Sequence, residues 1–96
     1  MTKYLFAKEY MAPPIFCRDV DEMGHIEISE LPVSEKLKQE IQAWDAEYQA
    51  TFDSTYPPDS SFKNEDAKNA HAAAGVRLAE RLQAELGPAY SIEYLE

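Results

Sequence analysis

The sequence predicts a single α+β domain in the order β-β-α-α-β, with a small, mostly antiparallel sheet and two helices packed on one of its faces. Three observations predict it. Two long stretches place apolar residues at helical spacing behind a helix-start signal. Shorter stretches rich in aromatic residues, or alternating between apolar and polar residues, lie before and after them. The 96 residues match the length of one domain, so 1–96 is treated as one unit.

Residues 3–11, KYLFAKEYM, are expected to form the first strand, which ends at Pro13 and Pro14 because proline interrupts ladder pairing. Both of its faces carry apolar groups, so the strand is expected to be central or covered on part of both faces. Residues 15–23, IFCRDVDEM, are interpreted as a connection with Ile15 and Phe16 directed inward.

A turn at Gly24 is expected to lead into a second strand over residues 25–30, HIEISE. Ile26 and Ile28 fall on one side of it, whereas the polar residues fall on the other. This alternation predicts a half-buried strand that runs antiparallel to the first as a wide hairpin.

The first helix is predicted from Ser34 to Phe52. Ser34 is a good N-cap, and Glu35 beside it suits the positive end of the helix dipole. Apolar residues recur at spacings of three and four and form one stripe: Leu37, Ile41, Trp44, Tyr48 and Phe52. The stripe is expected to form the centre of the core.

A turn-rich loop over residues 53–63 is expected to follow, before Asn64 caps a second helix that runs to Leu86. The inward stripe of this helix is predicted to consist of Ala67, Ala70, His71, Ala74, Leu78, Leu82 and Leu86. Small residues around Gly75 permit a close approach to a neighbouring element. Gly87 and Pro88 mark the helix end, and residues 89–95 alternate as a last strand.

The composition favours a folded domain in the cytoplasm. Hydrophobic residues make up 45% of the chain, which is sufficient for one core. No apolar run reaches membrane-spanning length, and the first residues, MTKYLFAKEYM, lack the apolar segment of a signal peptide. The single cysteine, Cys17, has no partner for an internal disulfide.

Acidity restricts the partners. The net charge of −9 argues against direct binding of nucleic acid, because phosphate contacts need Lys and Arg, and equally against an anionic membrane. It permits a basic protein partner, which complementary charge would attract. Acidity that serves only solubility is the alternative interpretation.

The acids are distributed unevenly with respect to the bases. Residues 19–35 and 39–62 contain no Lys or Arg, whereas the second helix mixes acids with Lys68, Arg77 and Arg81. Negative charge is therefore expected around the hairpin, the first helix and the loop after it. That surface is either a docking site for a basic partner or an ordinary solvated face.

Few residues suggest catalysis. His25 and His71 are far apart in the sequence, and no spacing supports a pairing with Cys17 or Ser61. Three glycines do not make a phosphate-binding loop. The acids near residue 20 lack the ligand count and glycine placement of a calcium loop. The sequence predicts a protein that is not an enzyme and has neither a cofactor nor a bound metal.

The sequence resembles a family of small bacterial proteins, the immunity proteins of polymorphic toxin and contact-dependent growth inhibition systems. The pattern is ELPVS-x-x-L-x-x-x-I-x-x-W, then a tyrosine, a proline-containing loop, and G-x-x-L-A-x-x-L-x-x-E-L-G. The matching positions are Leu31, Pro32, Ser34, Leu37, Ile41, Trp44, Tyr48, Gly75, Leu78, Ala79, Leu82, Glu85, Leu86 and Gly87. They cover about the last two-thirds of the chain, and nearly all are structural.

This resemblance implies an inhibitor that binds a cognate toxin domain, expected to be a basic nuclease, and blocks its active or substrate-binding surface. The chain itself is expected to be a monomer or a weak homodimer. Exposed acids and one aromatic residue at their rim are the predicted partner-binding residues: Asp19, Asp21, Glu22, Glu27, Asp53, Tyr56 and Asp59.

Two other functions remain open at this point. A non-enzymatic regulatory or structural module, including a homodimer, would carry an apolar patch on the exposed side of the sheet. A small enzyme would use His71 or Cys17.

Overall fold

The computed structural model of the chain describes residues 2–19, 23–52, 62 and 64–95. The elements follow in the order β1 (Thr2–Ala7), β2 (Ile15–Cys17), β3 (Gly24–Ile26), a 3-10 turn (Ile28–Glu30), α1 (Glu35–Gln49), α2 (Glu65–Leu86) and β4 (Tyr90–Leu95). The four strands form one sheet in the order β3-β2-β1-β4. The predicted α+β class is confirmed, and two of the three strand pairings are antiparallel.

Strand β1 lies inside the sheet, as its apolar residues on both faces predicted. It pairs antiparallel with β2, where Phe6 lies opposite Ile15, and parallel with β4, where Phe6 lies opposite Tyr94. A parallel pair needs a long crossover connection, and here the two helices lie between β1 and β4 in the chain.

The sequence predicted that the strand after Gly24 pairs with the first strand, and this pairing is wrong. Residues 15–17, interpreted as a connection, are the antiparallel neighbour of β1, and β3 pairs with them instead of with β1. The second strand ends at Ile26, and Ile28 is buried from a 3-10 turn. A three-residue strand is too short to show alternation, so only its pairing with β1 reveals it.

The ends of β1 and β3 also differ from the prediction. Strand β1 stops at Ala7 instead of residue 11, and Met11 adopts a positive φ of 60° in the turn that follows. Gly24 does not form a turn of its own, because it is the first residue of β3 and lies opposite Cys17.

The helix starts are confirmed. Ser34 Oγ accepts a hydrogen bond from the Leu37 amide at 3.2 Å, and Asn64 Oδ1 accepts one from the Ala67 amide at 2.8 Å. The Glu85 carboxylate also accepts from the Ser34 amide at 2.7 Å and from its hydroxyl at 3.0 Å. The start of α1 is thereby tied to the end of α2, which Gly87 terminates with a φ of 82°.

The core lies between one face of the sheet and the two helices. Its buried side chains come from β1 and β2 and from both helices: Phe6, Ile15, Leu37, Ile41, Trp44, Leu78 and Leu82. Helix α2 packs tightly against the sheet at Gly75, where an added Cβ would come within 2.7 Å of Tyr94 Cζ. The prediction that both helices cover one face is therefore confirmed.

Candidate functional site

Two of the seven predicted partner-binding residues, Asp19 and Glu27, belong to the part of the chain that the structure describes. The other five lie outside the described residues: Asp21, Glu22, Asp53, Tyr56 and Asp59.

Asp19 and Glu27 lie at opposite ends of the ladder between β2 and β3. Asp19 follows the end of β2 and accepts a hydrogen bond from the Lys3 amide at 3.3 Å, whereas Glu27 is exposed after β3. The antiparallel register places Glu27 level with Pro14, which is five residues from Asp19 along the chain. An extended chain at about 3.4 Å per residue spans about 17 Å from Pro14 to Asp19. The described acids of the hairpin therefore do not form one cluster.

Bases from other parts of the chain approach the acids that appeared base-free in the sequence. Lys38 Nζ lies 3.4 Å from a Glu35 carboxylate oxygen and donates to the Ser29 carbonyl of the 3-10 turn at 3.2 Å. Arg81 of α2 forms an ion pair with Glu40 of α1. The described parts of the two stretches without bases therefore have basic side chains near them in the fold.

The remaining acids of α1 differ in their environment. Asp45 accepts a hydrogen bond from Gln49 at 3.2 Å, and partial burial raises the pKa of its carboxyl although that hydrogen bond and the neighbouring His71 oppose the shift. Glu47, two residues further on, is exposed. Of the two acids in the second half of α1, Glu47 is therefore the more exposed.

His71 and Trp44 form a reciprocal contact between the two helices. The indole Nε1 donates to the His71 carbonyl, and His71 Nε2 donates to the Trp44 carbonyl, each at 2.8 Å. The two rings stack with centroids 4.4 Å apart. His71 is only 3% exposed, and its Nδ1 has no hydrogen-bond partner among the described residues.

Cys17 and the two histidines, the candidate catalytic residues, are each held by contacts within the fold. Cys17 is 1% exposed in the core, where it lies on the helix-covered face of β2. His25 lies on the opposite face of the sheet, 2.9 Å from a Glu9 oxygen and against the edge of Phe16. The structure therefore places Cys17 and the two histidines in three separate environments.

A second aromatic contact ties the turn after β1 to the end of α1. The rings of Tyr10 and Tyr48 stack with centroids 4.2 Å apart, and the Tyr10 hydroxyl is hydrogen-bonded to the Thr51 hydroxyl. Burial, followed by the neighbouring Tyr10, raises the pKa of Tyr48 to about 12. Tyr48 is therefore protonated throughout the physiological range and acts here as a packing residue.

A cleft of about 690 Å³ lies between the C-terminal half of α1 and the N-terminal half of α2. Its walls include Ala50 on one side and Ala67 and Ala70 on the other, with His71 and Phe62 between them. Glu47 lies at its edge. Sequence reasoning missed this cleft, although the run of alanines in α2 was the available signal.

The cleft continues along the seam between the helices. A further cavity of about 350 Å³ shares Glu47 and Ala74 with it and extends to the ion pair of Glu40 with Arg81. Glu47 therefore stands at the junction of the two cavities.

The sheet face away from the helices is uncovered by described elements. Leu5 and Phe16 are half-buried there, Leu95 is exposed, and an ion pair joins Arg18 to Glu93. This surface combines apolar and charged groups, so it is a second candidate for contact with another protein.

Among residues 2–19, 23–52, 62 and 64–95, no three His, Cys, Asp or Glu side chains are placed to hold a metal ion. Neither described helix combines the length and apolar character needed to cross a membrane.

Comparison with known proteins identifies a family for nearly the whole chain. The model of a family described as Serratia CdiI immunity protein-like matches residues 3–96. No curated protein matches. The family match includes the sheet strands β1 to β3, which precede the helices, as well as the region that carries the sequence pattern.

Proposed function

The chain belongs to the Serratia CdiI immunity protein-like family, and we propose that it neutralises a basic nuclease toxin domain by binding over its active or substrate-binding surface. The family match over residues 3–96 is the observation that carries the proposal. The net charge of −9 supports a basic partner, because a nuclease needs positive charge to hold its nucleic acid. On this proposal the chain acts by binding and has no catalytic step.

Acids of the hairpin and of the loop after α1 are proposed to make the contact. They are the residues predicted from the sequence: Asp19, Asp21, Glu22, Glu27, Asp53 and Asp59, with Tyr56 as the aromatic residue. The separation of Asp19 from Glu27 supports a contact spread over a broad surface, within which a few residues dominate the binding energy.

The experiment uses the C-terminal domain of the toxin encoded next to this chain. Calorimetry at low and physiological salt is expected to show tight binding that weakens as salt rises, since screening reduces charge attraction. In a nuclease assay, an equimolar amount of the chain is expected to stop cleavage. A toxin domain that the chain neither binds nor inhibits would refute the proposal, and a toxin without nuclease activity would refute its chemical part.

Single charge reversals to Lys at each of the six acids test the surface. Glu80→Lys is the matched control, because it changes the net charge equally from an exposed position on α2. At least two of the six are expected to weaken binding by about tenfold or more beyond the control, as for residues that dominate an interface. If all six match Glu80→Lys, the acids named here do not form the contact.

The uncovered sheet face favours one alternative, a module that pairs with a second copy of itself. Phe16 and Leu95 would then be buried between the two copies. Light scattering decides this: a strict monomer at high micromolar concentration excludes the homodimer, whereas a dimer that Leu95→Glu converts to a monomer would support it.

A further inference from the structure

The cleft between α1 and α2 has the chemistry of a receptor for a long, cationic side chain. Alanines at positions 50, 67, 70 and 74 line it, so its walls are mostly apolar and their short side chains leave room for another side chain. Among the described residues that line it, Glu47 carries the only formal charge at neutral pH with histidine neutral. A mostly apolar hollow with one carboxylate at its rim fits a side chain that has an apolar stem and a positive end.

Glu47 is available for such a contact, whereas the neighbouring acids are engaged. Glu40 forms its ion pair with Arg81 across the helix seam, and Asp45 accepts a hydrogen bond from Gln49. Glu47 is exposed and stands where the two cavities along the seam meet. The second cavity is also lined by Arg77 and Arg81, so a cationic group is expected to reach the Glu47 carboxylate from the alanine-lined cleft.

Two aromatic rings lie beside the cleft and favour a guanidinium over an ammonium group. Phe62 and His71 both line it, with ring centroids 4.9 Å apart. A planar guanidinium stacks on aromatic faces and can give a carboxylate two parallel hydrogen bonds, which an ammonium group cannot do.

One ring nitrogen of His71, beside the cleft, makes no hydrogen bond to a described residue. This nitrogen, Nδ1, is a buried acceptor without a donor among the described residues, although the ring itself lines the cleft. Buried polar atoms without partners are uncommon, and they draw attention to sites that a bound group completes.

We propose that this cleft receives an arginine side chain of the cognate toxin domain, with the guanidinium against Glu47 and the stem on the alanines. The proposal rests on the function proposed above and adds a second contact region to it. It places a main anchor of the interface between the helices, apart from Asp19 and Glu27 on the β2–β3 ladder.

Two variants test the cleft with the same toxin domain. Glu47→Gln removes the charge without adding bulk, and Ala70→Phe fills the cleft from an exposed position on α2. Each is expected to raise Kd about tenfold or more, as expected for an anchor residue. The matched controls are Glu80→Gln and Ala84→Phe, which make the same changes at exposed positions outside the cleft, and their Kd values should stay within about threefold of the unaltered chain.

Circular dichroism and thermal unfolding establish that all four variants are folded before binding is compared. Glu47→Gln is a conservative change at an exposed helix position, so it keeps the test decisive if Ala70→Phe unfolds. If Glu47→Gln binds as tightly as Glu80→Gln while the unaltered chain still neutralises the toxin, the cleft proposal is wrong and the proposed function stands. If the unaltered chain neither binds nor protects, the proposed function fails first.

A double-mutant cycle identifies the occupant. Each arginine and each lysine of the toxin domain is replaced in turn by Ala, and the affinity is measured with both the unaltered chain and Glu47→Gln. Replacement of one arginine is expected to weaken binding to the unaltered chain strongly but binding to Glu47→Gln only slightly, because Glu47→Gln already lacks the carboxylate that this arginine contacts. If no arginine couples to Glu47, or if a lysine couples instead, the assignment of arginine is wrong.

Discussion

Replacement of His71 separates the two roles of its ring, packing and hydrogen bonding. The imidazole stacks on Trp44 at an interplanar angle of 9°, and its Nε2 donates to the Trp44 carbonyl. Its Nδ1 is buried without a partner among the described residues. Phenylalanine keeps an aromatic ring of similar size but has neither nitrogen, whereas alanine removes the ring entirely.

The magnitudes favour a small effect for His71→Phe. The lost Nε2 hydrogen bond contributes about 0.5–1.5 kcal/mol, whereas an unpaired buried acceptor such as Nδ1 costs about 1–3 kcal/mol. The two changes oppose each other, so the free energy of unfolding should stay within about 1 kcal/mol of its original value. His71→Ala has no such compensation and leaves a cavity against Trp44, which is expected to cost about 3 kcal/mol.

Urea unfolding, followed by far-UV circular dichroism and by the fluorescence of Trp44, measures both values. A domain of this size has about 5–14 kcal/mol of stability, so a loss of about 3 kcal/mol is resolved easily. His25→Ala is the control, because His25 is exposed and its replacement should change stability by no more than about 0.5 kcal/mol. If His71→Phe is as destabilising as His71→Ala, the Nε2 hydrogen bond outweighs the packing and the reasoning is refuted.

Three further changes test other parts of the fold. Ser34→Ala removes the N-cap of α1 and one contact with Glu85, so chemical denaturation should show a loss of about 1–2 kcal/mol. Gly75→Ala places a Cβ against the Tyr94 ring, and the overpacking cost of about 1–3 kcal/mol should exceed the gain in helix propensity of about 1 kcal/mol. Removing the ring with Tyr94→Val should make the same glycine substitution stabilising, and an additive double mutant would contradict this. Asp45→Asn should increase stability at neutral pH, because burial raises the folded-state pKa of Asp45 and penalises its charged form. That advantage should shrink as pH falls through the raised pKa, where Asp45 takes up a proton, and a stability difference that does not change with pH would exclude the effect.

The helices were predictable because their signals are local. Ser34 and Asn64 cap the helices that follow them, and Gly87 ends the second one with a positive φ. Each of these residues acts on a backbone group within four positions of itself, so the sequence window that contains it also contains its effect. The α1 stripe was correct for the same reason at Leu37, Ile41 and Trp44, which are buried, whereas Phe52 lies beyond the helix end at Gln49.

The sheet was only partly predictable because its pairings are not local. Strand β2 has three residues, and its identity depends on Phe6 and Tyr4 lying opposite Ile15 and Cys17. The parallel pairing of β4 with β1 joins residues almost ninety positions apart, such as Thr2 and Tyr90. Neither arrangement leaves a mark in the alternation of a short segment.

The candidate site shows the same limit more sharply, because charge becomes a surface only after folding. Glu40 and Glu47 lie in one stretch without bases and are equivalent in the sequence. The fold brings Arg81, 41 positions away, to Glu40 and leaves Glu47 exposed at the edge of a cleft. Small residues act in the same way, since Gly75 permits close contact with Tyr94 while Ala70, five residues earlier, lines open space. Which role a small residue takes depends on the distance to the facing element, so the cleft and the exposed carboxylate of Glu47 beside it are properties of the helix packing.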